Sequence, residues 1–284
     1  MLLSTNIRPV MDRYGFNKAL DMIKEVGFVA YDMDFDVPPD DLVCDGWQEN
    51  VRKMREYADS KGMVCNQAHA PFPVAIKDDD IKTQEIFGRI VMAIEGASIL
   101  GAKNIVVHGA DHLYSIVSSE KLREYNMDLF KRLIPYCQKF KVNVAVENVW
   151  GYKTNTFHIL PGFCGMVEDF NRYIDELDSP FVVGCVDIGH IALTGSDVYD
   201  WIVGAGKRVK ALHIHDNNYL QDSHYPPFLG DVDFGKVIKA LKDIEYCGDL
   251  TLEISYRNIP DKLMPIALQY AYGAVEYLKE QLEN

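Results

Sequence analysis

Short apolar segments alternate with helical segments along the whole chain. Each apolar segment is bounded by polar turn residues and is too short for a helix, which is typical of a strand buried in a sheet. A helical segment follows each one, and no linker interrupts the alternation. Eight such units predict an α/β protein with a single (β/α)8 TIM barrel, in one domain covering residues 1–284. The predicted strands, the first two included partly to complete the count, are Leu2–Asn6, Phe28–Asp32, Met63–Ala68, Ile105–His108, Val142–Glu147, Phe181–Asp187, Val209–Ile214 and Leu250–Glu253.

The net charge of −13 limits the partners that such a chain can have. An acidic protein is not drawn electrostatically to nucleic acid or to an anionic membrane. No apolar run approaches the roughly 20 residues that cross a bilayer, and the first residues lack the pattern of a signal peptide. The six cysteines form no C-x-x-C pair, which favours free thiols in a reducing compartment. We therefore expect a cytoplasmic protein without a membrane or nucleic-acid partner.

Reactive side chains are concentrated after the seventh predicted strand. An imidazole inside a buried strand needs polar partners, so histidines at this place indicate a role beyond packing. His213 and His215 point to the same side of the strand, and their spacing alone leaves open which of them is a ligand. The following loop adds Asp222 and His224.

Six consecutive predicted strands end in, or run directly into, a side chain that can bind a metal ion. The carboxyl ends of barrel strands meet on one face, where the active sites of this fold lie. Buried carboxylates that meet there are costly unless a cation compensates their charge. The six residues are His69, His108, Glu147, Asp187, His213 and Glu253. Together they predict a metal-binding active site.

Three more residues bring the candidate ligands to nine: His190 in the motif DIGH, and Asp222 and His224. Five histidines and four carboxylates are too many for one ion and enough for two or three. Carboxylate oxygens suit Mn²⁺, Mg²⁺ or Zn²⁺, and the histidines favour zinc. We expect zinc or manganese, in one to three ions. The alternative for some of the histidines is that they bind substrate or hydrogen-bond to the ligands.

A second set of residues, which shares some members with the candidate metal ligands, is predicted to contact the substrate. The Trp150 side chain could pack against a sugar ring, although an aromatic side chain near a strand end is more often part of the core. Lys153 and Arg257 are the cations of the set and would suit a phosphate group. The remaining members are His190, His215, Asp222 and His224.

The motifs QAHAPF, VVHGA, VEN, DIGH, HIHD, DSH, GDVDF and LEIS follow one another in this order. In this respect the chain resembles the xylose-isomerase-like barrel superfamily. That superfamily includes sugar and sugar-phosphate isomerases and epimerases, inosose dehydratases and endonuclease IV. The resemblance extends from about the third strand to the eighth.

The resemblance to the epimerases implies a ligand set and a chemistry. Two glutamates, an aspartate and a histidine hold one divalent ion in those enzymes, and they match Glu147, Asp187, His213 and Glu253. The family's ligand histidine is followed three residues on by an acidic residue, here Asp216, which selects His213 over His215. The implied activity is proton transfer through a metal-stabilised enediolate, with Glu147 and Glu253 as base and acid.

The same motifs match endonuclease IV, a phosphodiesterase with three zinc ions. Its remaining ligands match His69, His108, His190, Asp222 and His224. The segment 32–45, however, contains six aspartates and no lysine or arginine, and it would repel DNA phosphates. We therefore favour a sugar or sugar-phosphate isomerase or epimerase. The alternatives are the zinc phosphodiesterase and a keto-sugar or inosose dehydratase. The sugar, its phosphorylation and the oligomeric state, a homo-oligomer included, stay open.

Overall fold

The computed structural model describes residues 1–36, 45–111, 119–152 and 158–284. Its strands, in chain order, are β1 Leu3–Asn6, β2 Ala30–Asp34, β3 Val64–His69, β4 Asn104–Val107, β5 Asn143–Glu147, β6 Trp150–Tyr152, β7 Ile159–Pro161, β8 Val182–Asp187, β9 Val209–His213 and β10 Leu250–Leu252. All except β6 and β7, which pair with each other, form one parallel sheet in the order β10-β1-β2-β3-β4-β5-β8-β9. A bridge between Ile214 and Leu252 joins its outer strands. The (β/α)8 barrel predicted from the sequence is confirmed.

The helices cover the outside of the barrel. They are α1 Arg8–Tyr14, α2 Phe16–Val26, α3 Trp47–Ser60, α4 Asp80–Leu100, α5 Ser119–Phe140, α6 Val167–Leu177, α7 Ile188–Leu193, α8 Val198–Ala205, α9 Phe234–Asp243 and α10 Met264–Glu283. Leu20 and Ile23 of α2 are examples of the apolar residues that these helices bury. Aspartates begin several of them: Asp79 caps α4 and Asp233 caps α9 by accepting main-chain N–H groups.

A small layer of buried side chains lies inside the barrel. It consists of Val106, Ala145, Cys185 and Ala211, from four neighbouring strands. Each is two residues before a candidate ligand at the end of its strand. Because strand side chains alternate, the ligands point into the barrel above this layer. Along these four strands the interior is therefore apolar beneath the site, whereas Ser4 of β1 and Asn66 of β3 form a buried polar pair inside the barrel.

Three short elements were not predicted from the sequence: α1, α7 and the β6–β7 pair. Each has seven residues or fewer, which leaves too few turns or alternations for a periodic pattern to stand out. Helix α7 matters for the site because Asp187 accepts the main-chain N–H of His190 and so begins the helix directly at the strand end.

Four of the described cysteines are buried and Cys247 is exposed, all of them as free thiols. This agrees with the expectation for the cysteines in the described ranges, while Cys44 lies outside them. No helix within the described part of the chain is long and apolar enough to cross a membrane.

Candidate metal centre and active site

Four side chains converge at the carboxyl-terminal mouth of the barrel. Glu147, Asp187 and His213 are the last residues of β5, β8 and β9, and Glu253 directly follows β10. Each offers one ligand atom, and these atoms lie within 4.8 Å of one another. The first three are buried, whereas the Glu253 side chain is 22% exposed. We call these four residues the central set.

The imidazole of His213 faces all three carboxylates of the central set. Its Nδ1 atom lies 2.6 Å from Glu147 Oε1, 3.4 Å from Glu253 Oε2 and 4.0 Å from Asp187 Oδ2. Three carboxylates around one buried ring leave an excess of negative charge. Such an arrangement is costly unless a cation or bound protons compensate it. The donor set, three carboxylates and one histidine, fits a divalent cation such as Mn²⁺ or Zn²⁺.

Two histidines outside the central set lie close to the same carboxylate oxygen of Glu147. His108 Nε2 lies 2.6 Å from Glu147 Oε2, and His69 Nε2 lies 3.7 Å from the same oxygen. The two ring nitrogens are 3.1 Å apart. His69 donates its Nδ1–H to the Ala70 carbonyl, so in its neutral form Nε2 carries a lone pair directed at the group.

A third group lies on the other side of Asp187 and comprises His190, His215, Asp222 and His224, again with ligand atoms within 4.8 Å. His190 Nε2 and His224 Nε2 lie 3.4 and 3.2 Å from Asp222 Oδ2. His215 Nε2 lies 3.0 Å from Asp187 Oδ1, which links the third group to the central set. His215 is wholly buried and belongs to this group of potential ligands as well as to the predicted substrate contacts.

Main-chain carbonyls orient three of these histidines in the same way. Besides His69, His190 donates its Nδ1–H to the Asn148 carbonyl and His224 donates its own to the Glu253 carbonyl. In each neutral ring the Nε2 lone pair then faces a carboxylate cluster. Histidines that bind metals donate their other ring N–H to a carbonyl or carboxylate in this manner. The hydrogen bonds of the site therefore suit metal binding by Nε2.

Close contacts between imidazoles and carboxylates shift several pKa values in the site. Burial lowers the pKa of the His69 imidazole, but the hydrogen bond and charge of Glu147 outweigh it and raise the pKa to about 9. Burial likewise opposes the charge on His224, and the charge of Glu253 and the hydrogen bond with Asp222 raise its pKa to about 9. For Asp222 the hydrogen bonds with His190 and His224 overcome burial and hold the pKa well below its usual value. Each shift therefore arises from opposite charges held close together in a buried site.

Aromatic side chains line the edge of the site. Trp150, a predicted substrate contact, donates its Nε1–H to Asp222 Oδ2 over 3.0 Å. Phe72 stacks on His108 with ring centroids 4.9 Å apart, and it remains 46% exposed. Both rings therefore contact candidate metal-binding residues and keep exposed surface on which a substrate could pack.

Of the two predicted cations, only Arg257 is among the described residues. Arg257 is exposed, and in the described part of the chain its side chain forms no hydrogen bond or ion pair. Lys153 lies outside the described residues.

Two aspartates support the site in ways that the sequence analysis does not predict. Asp32 of β2 is buried beside His213. Asp216 forms hydrogen bonds with the main chain on both sides of the loop that carries Asp222 and His224. Asp216 accepts the main-chain N–H groups of the three residues Asn217, Gly230 and Val232. A buried aspartate within or just after a strand was the available signal, because such a carboxylate requires donors.

Comparisons with known proteins agree with this fold. The model of the family described as xylose isomerase-like TIM barrel matches residues 20–281. An L-ribulose-5-phosphate 3-epimerase of Escherichia coli is 24% identical over 255 residues, which are 87% of this chain and 85% of that protein. The crystal structure of a D-tagatose 3-epimerase-like protein matches with a TM-score of 0.77 at 21% identity, covering 100% of this chain and 97% of the other. A crystal structure of the IOLI protein with a binding zinc atom matches with a TM-score of 0.78 at 16% identity, covering 100% and 98%.

Proposed function

Because this chain belongs to the xylose isomerase-like TIM barrel family, we propose that it is a metal-dependent isomerase or epimerase of a sugar or sugar phosphate. The likeness to an L-ribulose-5-phosphate 3-epimerase and to a D-tagatose 3-epimerase-like protein supports the reaction class. The single observation that carries the proposal is the central set, in which one imidazole meets three carboxylates at the mouth of the barrel.

Glu147, Asp187, His213 and Glu253 would hold the cation. A bound divalent ion supplies charge that polarises a ketone and the hydroxyl beside it, which makes the proton on the carbon between them more acidic. The zinc atom in the IOLI crystal structure supports zinc, and the oxygen-rich central set also suits manganese.

Glu147 and Glu253 are the proposed proton carriers. They come from β5 and the end of β10, which are three strands apart in the barrel, so they approach a bound substrate from different directions. One carboxylate removes the proton from the substrate carbon and the other returns a proton to the opposite face in an epimerisation. Isomerisation requires only one of them. The partial exposure of Glu253 gives it access to the substrate.

His190, Asp222 and Trp150 would orient the substrate. Asp222 Oδ2 lies within hydrogen-bond distance of the other two side chains. It is 3.4 Å from His190 Nε2 and 3.0 Å from Trp150 Nε1. A carboxylate and an imidazole at the rim of the site suit the alternating donors and acceptors of sugar hydroxyls. Phe72 and Trp150 supply apolar surface for the sugar ring.

The decisive experiment follows deuterium uptake. Protein loaded with Zn²⁺ or Mn²⁺ is incubated in D₂O with a panel of ketoses and their phosphates, and products are followed by proton NMR. We expect stereospecific deuterium at one carbon next to the carbonyl, together with a new epimer or aldose. Absence of exchange in every sugar tested would overturn the proposal.

A zinc phosphodiesterase resembling endonuclease IV is the second candidate, because the two outer groups could hold additional cations. These groups are His69, His108 and Glu147, and His190, His215, Asp222 and His224. The nearby Asp34 and Asp36 weigh against it, since a polyanionic substrate would be repelled. Cleavage of duplex DNA containing an abasic site, without sugar exchange, would favour this candidate. A keto-sugar or inosose dehydratase would instead release water after the same proton abstraction.

A further inference from the structure

Asp32 is a buried carboxylate in the interior of the barrel, and neither proton transfer nor substrate binding accounts for it. It lies within β2 and is 2% exposed. Its Oδ2 atom accepts a hydrogen bond of 3.0 Å from the Gln67 side-chain amide and lies 3.4 Å from His213 Nε2. Its Oδ1 atom has no hydrogen-bond partner among the described residues. A buried carboxylate with so few donors is costly, which points to a role in which its charge is used.

The two ring nitrogens of His213 face different carboxylates. Nδ1 lies 2.6 Å from Glu147 Oε1 and faces the rest of the central set, whereas Nε2 lies 3.4 Å from Asp32 Oδ2 on the other side of the ring, without a hydrogen bond among the described residues. A neutral imidazole carries a single N–H, so a cation held by Nδ1 and the three carboxylates would leave that N–H on Nε2, beside Asp32. With the proton on Nε2, the Nδ1 lone pair is directed at the carboxylates of the central set.

His213 differs in this respect from the other oriented histidines of the site. His69, His190 and His224 donate to main-chain carbonyls, whereas the neighbour of His213 is a charged side chain. A carboxylate behind a ligand histidine increases its basicity and fixes its tautomer and ring orientation. Gln67 pairs in register with Asp32 on the neighbouring strand, and its amide holds the carboxylate in position.

We propose that Asp32 is a positioning residue that holds His213 with its proton on Nε2, so that Nδ1 is the metal-binding atom. The inference rests on the proposed function only in one respect: the central set binds a divalent cation. The sugar substrate does not enter.

Metal affinity tests this directly. Zn²⁺ and Mn²⁺ binding to the full chain is measured by competition with a chromophoric chelator for wild type, Asp32→Asn and Gln67→Leu. We expect Asp32→Asn to weaken binding by about 10- to 100-fold, and Gln67→Leu to weaken it less, because the carboxylate remains. The matched control is Ser4→Ala, which removes another buried hydrogen bond inside the barrel, to Asn66, and should leave affinity unchanged. Affinity within threefold of wild type in a folded Asp32→Asn protein would overturn the proposal.

A spectroscopic measurement separates positioning from general damage to the fold. Histidine labelled with ¹⁵N in the zinc-loaded protein reports which ring nitrogen carries a proton, and the His213 signals are assigned by their loss in His213→Gln. We expect a protonated Nε2 and a zinc-bound Nδ1 in wild type. A proton on Nδ1, or zinc bound by Nε2, would contradict the proposal. Neither measurement uses a sugar, so failure to find deuterium exchange would remove the proposed activity and leave this inference standing.

Discussion

Asn148 and Asp187 exchange two hydrogen bonds between neighbouring strand ends. The Asn148 amide donates to the Asp187 carbonyl over 2.9 Å, and the Asp187 main-chain N–H donates to the Asn148 side-chain oxygen over 2.8 Å. The Asn148 carbonyl also accepts the Nδ1–H of His190. One buried asparagine therefore sets the positions of two candidate metal ligands.

We predict that Asn148→Ala weakens both folding and metal binding. The substitution leaves the Asp187 carbonyl and the Asp187 N–H without their Asn148 partners, at a cost of about 1–3 kcal/mol each. It also removes the contacts that fix the end of β8, where Asp187 lies. Urea unfolding should report a loss of about 2–6 kcal/mol in the free energy of unfolding. Metal titration should report a loss of affinity of about tenfold. Asn143→Ala is the control, because it removes an amide hydrogen bond between β4 and β5 at the opposite end of the barrel. Equal metal affinities in the two variants would contradict this role for Asn148.

Glu147→Gln should abolish turnover while some metal binding remains. The amide is nearly isosteric and can still contact His213, but it cannot take a proton from carbon. We expect deuterium uptake to fall by about 10²- to 10⁴-fold. Metal affinity should fall much less, because Asp187, His213 and Glu253 remain. Turnover at the wild-type rate would remove Glu147 from the mechanism.

Glu253→Gln then distinguishes the two reaction types. An isomerase that uses Glu147 as its only base keeps both measurable exchange and product formation in this variant. In an epimerase, exchange continues at the face served by Glu147 while formation of the inverted product is lost. The two rates are read from the same NMR experiment.

Much of the site was predictable because parallel strands impose their own geometry. The alternation of strand side chains and the shared direction of the strands bring Glu147, Asp187 and His213 to one face wherever the strands end. Glu253 belongs with them even though β10 ends one residue earlier, at Leu252. A shift of one residue in a strand boundary does not change the direction of a side chain.

Other features depend on contacts that are distant in sequence. The predicted second strand ended at Asp32, whereas β2 continues to Asp34 and buries Asp32 opposite His213. Two aspartates close together suggest a loop, and only the approach of Gln67 and His213 makes Asp32 an interior residue. The role of Asp216 likewise depends on N–H groups from residues up to 16 positions away.

Gly189 in α7 leaves space for the ring of His215. A Cβ atom at this position would lie 2.0 Å from Cε1 and 2.4 Å from Nδ1 of that ring, so Gly189→Ala must displace it. We predict a loss of about 100-fold in kcat/KM, the effect expected of a displacement of about 1 Å in an active site. The control is Gly88→Ala in α4, where the new methyl group meets no atom within 4 Å. It should leave activity unchanged and raise stability by up to about 1 kcal/mol. Wild-type kinetics in Gly189→Ala would show that the position of His215 does not matter.

The carboxyl group of Asp111, which belongs to none of the candidate ligand groups, gives stability a pH dependence. Burial raises its pKa to about 6 despite the hydrogen bond that it accepts from the Phe163 N–H. In the unfolded chain an aspartate has a pKa of about 3.9, so between about pH 4 and 6 the folded protein keeps a proton that the unfolded chain has released. The stabilising effect of this proton is present below pH 4 and is lost as the pH rises through 6.

Asp111→Asn removes this dependence, because the amide stays neutral and can still accept the Phe163 hydrogen bond. We expect the free energy of unfolding of the variant, relative to wild type, to increase by up to about 3 kcal/mol from pH 4 to pH 7, since a pKa difference of about two units sets the limit. The exposed Asp128→Asn serves as control and should follow wild type. Urea unfolding across this pH range gives the free energy of unfolding of wild type and of the two variants. The contributions of the other titrating groups cancel when each variant is compared with wild type at the same pH. A constant difference between Asp111→Asn and wild type would mean that Asp111 is ionised throughout in the folded protein.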